Sequence, residues 1–436
     1  MKIEPLHIHQ RQLIIFLFIL CESLGLQAQE SLRGTVYNKN TKQPIPFTTV
    51  SIPHTGTGVI TNEFGEFIYH IPADQKNDII KISHIGYESI NTKIENIELG
   101  KTCVFRMIPK QVDIDEVEIF GIKGIPASKI VKRAIKNIPQ NYPRETFHLS
   151  GYYRDYIRDI ETNDYKNLTE AAIRIEDKGF DTRDYARSRI MIEQIRYSPE
   201  YLVDSMLNRE YDSNTKYVPH ANVDKSNDLA FLLLQNPIRN YKAEAFSFIY
   251  NFKTKFIRNH DFRYESFIDN DSTRIFEVEF DTYRIINKKQ YWVNGKIYIN
   301  EEDYAILKFE YYVSCKIPSY SGLFLELNIE YKKYENKYFL NYISFGNYFE
   351  FSPNTSTDAD LTIEHLFHTS TDADPTIEHL FQFREFFANK IETDTINHIE
   401  NDECIRKNKT LISNEIITIP NFWETYNYTL NKEQLR

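Results

Sequence analysis

The densest set of potential metal ligands lies in a tandem duplication. Thr355-Ser-Thr-Asp-Ala-Asp-Leu-Thr-Ile-Glu-His-Leu-Phe-His is followed, 14 residues on, by Thr369-Ser-Thr-Asp-Ala-Asp-Pro-Thr-Ile-Glu-His-Leu-Phe-Gln, with two differences. Together the copies offer Asp358, Asp360, Asp372 and Asp374 with Glu364, His365, Glu378 and His379. Oxygen-rich loops suit calcium, and adjacent histidines suit zinc. A calcium loop also needs a glycine turn and a closing acid, which neither copy has. The near-identity points instead to a recent duplication, a loop plus strand copied once and tolerated as a surface insertion over residues 355–382.

Paired carboxylates could hydrolyse a glycosidic bond, one acting as acid and the other as base or nucleophile. The 62 Asp and Glu residues allow many pairs that only a fold can select. Glu170, beside Ala171 and Ala172, and Glu279, in a strand-like run, are the candidates, and each also reads as an ordinary strand residue. Tyr152, Tyr153, Tyr156, Tyr311, Tyr312, Trp292 and Trp423 lie in aromatic patches that could stack on sugar rings or grip a peptide. With 30 Tyr and 30 Phe in the chain, such patches are also expected as sheet packing. There is no His-x-x-Glu, no His-Glu-x-x-His, no Gly-x-Ser-x-Gly elbow and no phosphate-binding glycine loop. No residue is therefore assigned as catalytic, cofactor-binding or metal-ligating, and no cofactor is expected.

The elements that would position these groups are mostly strands. Thr35-Val-Tyr, Thr48-Thr-Val-Ser-Ile, Glu66-Phe-Ile-Tyr-His-Ile, Ile79-Ile-Lys-Ile-Ser and Cys103-Val-Phe-Arg-Met are short apolar runs. Turn signals at Asn38-Lys-Asn, Gly56-Thr-Gly, Asn62-Glu-Phe-Gly65 and Gly86 separate them, the pattern of a sandwich. Gly65 and Gly86 fit positions that need positive φ or close approach. Residues 126–138 spell an amphipathic helix, with Ile130, Ala134, Ile135 and Ile138 on one face, Pro126 near its start and Asn141-Tyr-Pro as its stop. Asp228-Leu-Ala-Phe-Leu-Leu-Leu-Gln predicts a short helix. From Ile275 strands resume, and alternation puts Leu325, Leu327 and Ile329 on one face with Glu326, Asn328 and Glu330 on the other, as in an antiparallel sheet with one wet side.

At 436 residues the chain fits one small and one large domain, and 41% hydrophobic content is globular. Its net charge of −10 persists without residues 1–28, which hold Lys2, Arg11, Glu4 and Glu22. Such a surface repels nucleic acid and anionic membranes, although local basic patches remain compatible with it. Leu13-Ile-Ile-Phe-Leu-Phe-Ile-Leu20, preceded by Lys2 and Arg11 and followed by Gly25-Leu-Gln-Ala28, has the form of a secretory signal cleaved after Ala28. Cys21 raises lipidation as an alternative, against which Leu20 is bulky for that signal. Cys103, Cys315 and Cys404 are three widely spaced thiols, too few for a disulfide framework and expected to be buried.

Gly34-Thr-Val-Tyr, Pro44-Ile-Pro-Phe-Thr-Thr-Val-Ser-Ile, Gly56-Thr-Gly, Thr61-Asn-Glu-Phe-Gly-Glu-Phe and Ser83-His-Ile-Gly86-Tyr87 together resemble the carboxypeptidase-like regulatory domain. That domain is the prealbumin-like sandwich at the front of many envelope proteins of Bacteroidetes-type bacteria, TonB-dependent receptors among them. It is the noncatalytic accessory module of carboxypeptidases, so no peptidase activity comes with it. Asp113-Ile-Asp-Glu-Val-Glu-Ile-Phe is similar to the segment that follows it in those receptors, but no receptor-sized barrel follows here. Leu149-Ser-Gly-Tyr-Tyr-Arg-Asp-Tyr and Leu168-Thr-Glu-Ala-Ala-Ile-Arg-Ile resemble a second region of the same family, where a helix leads into a sheet with an acid in the returning strand. Gly295 to Tyr311 looks like the curved sheets of periplasmic lipoprotein carriers, an architectural analogy. Asn421-Phe-Trp-Glu-Thr-Tyr looks like a family signature that docks the chain end.

The expected fold is mainly β with some α, a transthyretin/prealbumin-like N-terminal β-sandwich followed by an α+β domain with a large curved antiparallel sheet. Residues 1–28 would be the signal peptide, 29–109 the sandwich, 110–125 a linker and 126–436 the second domain. The resemblance implies a noncatalytic module of binding or assembly in the periplasm or at the outer membrane. Its partner would be an outer-membrane receptor or assembly factor, with a glycan or an apolar ligand also possible and nucleic acid excluded. The alternatives are a hydrolase of peptides or polysaccharides using carboxylates of the large domain, and a periplasmic carrier of an apolar ligand.

Overall fold

The computed structural model describes residues 31–110, 125–181, 188–197, 232–242, 252, 254–270, 273–286, 288–317, 320–351, 378–394, 398–400, 404 and 419–428. The proposed signal segment with Cys21, the segment 111–124, residues 228–231 and the duplication up to residue 377 lie outside them.

Seven short strands build the first domain: β1 Ser31–Asn38, β2 Thr49–Ile52, β3 Thr57–Ile60, β4 Glu66–His70, β5 Ile79–Ser83, β6 Ile90–Lys93 and β7 Thr102–Met107. They form two sheets, ordered β4-β1-β7 and β3-β2-β5-β6, with β1 and β7 parallel. Alternation drives the packing, since Leu32, Val36, Val50, Ile52, Phe67, Tyr69, Ile80 and Ile82 all turn into one core. The expected sandwich is present, with two strands more than the apolar runs indicated. β3 was hidden by Gly58, which reads as part of a turn; there the chain pairs with β2, and a Cβ would lie 2.8 Å from the Val50 carbonyl oxygen. Gly65 and Gly86 do carry positive φ, 72° and 88°.

The second domain begins with α1 Ala127–Asn141 and continues through β8 Phe147–Asp159, β9 Tyr165–Asp177, β10 Arg189–Tyr197, α2 Thr254–Asn259, β11 Asp261–Asn270, β12 Thr273–Ile286 and β13 Lys289–Asn300. β14 Ile306–Lys316, β15 Ser321–Tyr334, β16 Lys337–Phe351, β17 Glu378–Glu392 and the single turn α3 Phe422–Thr425 follow. Ten of these strands form one antiparallel sheet in the order β10-β9-β8-β17-β16-β15-β14-β13-β12-β11. Only the β17–β8 pairing is distant in sequence; every other neighbour follows in chain order. Register shifts interrupt seven of the nine pairings, and such bulges twist and curve a long sheet.

One face of the sheet is apolar and filled. α1 lays Ile130, Val131, Ala134, Ile135 and Ile138 on it, and Leu232, Leu233, Ile238, Phe252 and Phe256 complete the layer against Val278, Phe280, Ile297, Phe309, Leu327 and Ile329. The end of α1 is pinned by Tyr142, whose hydroxyl donates to the Ile306 carbonyl oxygen (2.7 Å) and accepts from the Ile306 amide (3.0 Å). Of the predicted second helix, residues 232–234 are described and helical.

The opposite face is polar, with Glu326, Asn328 and Glu330 on it as alternation requires. It differs from the expected wet side because the first domain and residues 419–428 cover part of it. Phe47 stacks on Tyr342 (5.2 Å between centroids), Asn341 donates to Thr49 Oγ1 (3.0 Å), and Lys332 Nζ reaches the carbonyl oxygens of Ala388 (3.1 Å) and Gly56 (3.4 Å). Two of the three thiols depart from expectation: Cys103 and Cys404 are partly exposed, whereas Cys315 is buried.

Candidate functional site

The polar face is organised by a single cross-strand row. Antiparallel pairing sets residues directly opposite one another, so one position per strand lines up across the sheet. From β10 to β11 that row is Arg196, Glu170, Arg154, Glu385, Ser344, Asn328, Glu310, Lys296, Glu279 and Arg263. Charges alternate in sign along it except at Ser344 and Asn328, where neutral hydrogen-bonding groups carry the row between Glu385 and Glu310.

At its β10–β17 end the row is covered. Arg196 donates to both oxygens of Glu170 (Nε 2.7 Å, Nη2 2.8 Å), and the Tyr152 hydroxyl donates to the same carboxylate. Arg154 Nη2 lies 2.6 Å from Glu385, which also accepts from Tyr342 (2.9 Å). Burial alone would lower the Arg154 pKa, but the Glu385 carboxylate overrides it and pushes the value further up. The Arg196 guanidinium sits 4.4 Å from the Trp423 ring centroid and 4.8 Å from that of Tyr428, a cation–π cover supplied by the chain end. Tyr426 donates to the Gly151 carbonyl oxygen (2.8 Å), and Asn427 accepts from the His70 amide (2.8 Å), so this segment straps the two domains together.

Beside the middle of the row, Lys308 bridges Glu310 (3.0 Å) and Glu330 (3.1 Å). Burial, with Lys308 adding to it, pushes the His84 pKa down to about 4 and keeps that imidazole neutral. At the β13–β11 end the row is more open, where Lys296 pairs with Glu279 (3.4 Å) and Glu277 (2.5 Å), and Arg263 with Glu279 (3.4 Å) and Asp281.

The two candidate carboxylates are not brought together. Glu170 and Glu279 share the row but sit seven strands apart, roughly 33 Å at about 4.8 Å per strand, against the ~5–10 Å that glycoside hydrolysis requires. Burial raises the pKa of Glu193 on β10 and of Glu326 on β15, and these lie five strands apart, about 24 Å. The carboxylates of the row itself are held by guanidinium, ammonium or phenol donors, an arrangement that locks their geometry.

Of the seven aromatic candidates, Tyr152, Tyr153 and Tyr311 are fully buried, Tyr156 and Tyr312 are half-buried, and Trp423 is the cap on Arg196. Trp292 alone is exposed. Of the eight possible metal ligands, six lie outside the described residues; Glu378 opens β17, and His379 Nδ1 shares a hydrogen bond with the Tyr348 hydroxyl (2.7 Å). Glu385, Arg154 and Arg196 carried no local signal, because it is the β10–β9, β9–β8 and β8–β17 registers, not their neighbours in sequence, that gather them around Glu170.

Residues 32–119 match the family model of the CarboxypepD_reg-like domain. No curated protein matches the chain. Among solved structures, a LolA superfamily protein from Nitrosomonas europaea is 8% identical over 65% of this chain and 99% of its own, with a TM-score of 0.23. A DUF1329 family protein from Desulfovibrio piger is 9% identical over 64% of this chain and 99% of its own, with a TM-score of 0.25. At such scores neither structure bears on what this chain does.

Proposed function

We propose that this chain, whose residues 32–119 are a CarboxypepD_reg-like domain, is a noncatalytic cell-envelope protein acting in the periplasm or at the outer membrane. It serves there as a binding or assembly module, with an outer-membrane receptor of the TonB-dependent kind, or an assembly factor, as its partner. One observation carries this reading: the domain is seated on the polar face of the sheet, over the charge row, while the apolar face is filled by α1 and the residues after it. Among the described residues, the apolar face and part of the polar face, on which an open sheet would hold a substrate or an apolar ligand, are thus taken up by the chain itself.

The test is a crosslinked pull-down of the tagged mature chain from intact envelopes, read by mass spectrometry. Reproducible recovery of one outer-membrane receptor or assembly protein is expected. Recovery of nothing above a control carrying the signal peptide alone would overturn the adaptor reading. Turnover of a peptide or polysaccharide that disappears in Glu170→Gln would establish the hydrolase in its place.

A further inference from the structure

We infer that the tip of the β12–β13 hairpin docks on an anionic lipid surface. Tyr283, Ile285 and Trp292 are 45%, 63% and 41% exposed, on the polar face of the sheet. Register puts them side by side. Tyr283 is opposite Trp292, their rings 5.5 Å apart, and Ile285 is opposite Gln290, which is in turn opposite Lys316. The three large apolar side chains therefore form one patch at the end of the hairpin, beside the exposed Lys316.

Cations flank the hairpin tip in a chain of net charge −10. Lys288 lies in the turn and Lys289 opens β13, and on the opposite face of the sheet α2 adds Lys255 and Arg258, both exposed. Arg284 ties the helix to the hairpin by donating from Nη2 to the Asn259 carbonyl oxygen (3.1 Å). On the neighbouring strand positions Asp281, opposite Asp261, is paired with Arg263.

An indole, a phenol and an isoleucine beside the tip lysines match a lipid–water interface, where amphipathic rings sit at headgroup level and lysines meet anionic phosphates. The two rings are inclined by 43° and offer no common plane for a sugar chain. Because the remaining surface is acidic and repelled by the same membrane, the approach is end-on, through the hairpin. This inference rests on the tip alone and stands whether or not the adaptor reading does.

Trp292 and Trp423 are the two tryptophans of the chain, so Trp423→Phe leaves Trp292 as its single reporter. The mature protein is floated with vesicles of phosphatidylglycerol and phosphatidylethanolamine, and separately with phosphatidylcholine alone. Flotation with the anionic vesicles only, a blue shift of Trp292 emission and quenching by brominated acyl chains are expected. Lys288→Ser and Lys289→Ser should each weaken binding roughly fivefold, and Ile285→Ser should abolish the shift, all with native circular dichroism. Absence of flotation, or full flotation of a natively folded Ile285→Ser/Trp292→Ser variant, overturns the inference. So does a tip that crosslinks to an envelope protein while Trp292 ignores vesicles.

Discussion

Arg196 grips Glu170 at two points, 2.7 and 2.8 Å, from the strand next to it, and the pair is closed off by the Trp423 ring. A carboxylate so held, with Tyr152 donating as well, is a structural anchor whose partners lose most when it is removed. Glu170→Gln keeps the shape but leaves Arg196 without its counter-charge in a site where the glutamate is almost wholly buried. The expected loss is about 3 kcal/mol in urea unfolding. Glu279→Gln, at the open end of the same row, is expected to stay within about 1 kcal/mol of wild type. Equal losses at the two positions would show that covering the row does not set its energetics.

Lys332 supplies a second test, through pH. Burial pulls its pKa down to about 8 while its ammonium donates to the Ala388 carbonyl oxygen in its own sheet and to the Gly56 carbonyl oxygen across the domain boundary. With the folded value depressed, the unfolded chain holds the proton more tightly, so the cost of burying the charge is present in full below about pH 8. It shrinks as pH rises toward the ordinary lysine value of about 10.4. Stability measured from pH 7.5 to about 9.5, below the tyrosine range, should rise more steeply for wild type than for Lys332→Met. Parallel curves would mean that the amine is solvated.

Acid acts in the opposite direction through two histidines. His84 lies under the first domain beside Lys308, and His260 in the aromatic core, where Nε2 meets the Tyr311 hydroxyl (3.2 Å). Burial first of all lowers both pKa values to about 4. Their contribution is complete above the unfolded value of about 6.5 and is lost as pH falls from there toward 4, by roughly 2–3 kcal/mol each. His84→Gln should flatten the stability profile between pH 6.5 and 4.5, and a slope identical to wild type would place the acid response elsewhere.

Much of this architecture was legible because it is local. The alternation in residues 325–330 named both faces of β15, and the 130–138 spacing named the buried side of α1, since period 2 and period 3.6 are written in consecutive residues. The row was not legible, because Glu385 meets Arg154 through a pairing between strands more than 200 residues apart, and nothing near either residue specifies it. Glu170 was singled out as an acid in a returning strand, which is where it lies, but its partners come from β8, β10 and the chain end. Trp292 was named among seven aromatics that composition could not separate; exposure did so, and exposure depends on where the first domain stops covering the sheet.

Gly56, with φ +69°, sits where the first domain meets the sheet. A Cβ there would meet the Tyr334 ring at 3.1 Å and the Ile391 carbonyl oxygen at 3.3 Å. Gly56→Ala therefore combines a left-handed backbone cost of about 1–2 kcal/mol with pressure against the sheet. Gly100→Ala, with φ +86° and nothing within 4 Å of the new Cβ, carries the backbone cost alone. If the domain boundary holds as described, Gly56→Ala should accelerate hydrogen exchange in β3 and β17 together, whereas Gly100→Ala leaves β17 untouched. Faster exchange confined to β3 in the Gly56 variant would mean that the first domain rides on the sheet without depending on this contact, and that the aromatic stack of Phe47 on Tyr342 carries the seating instead.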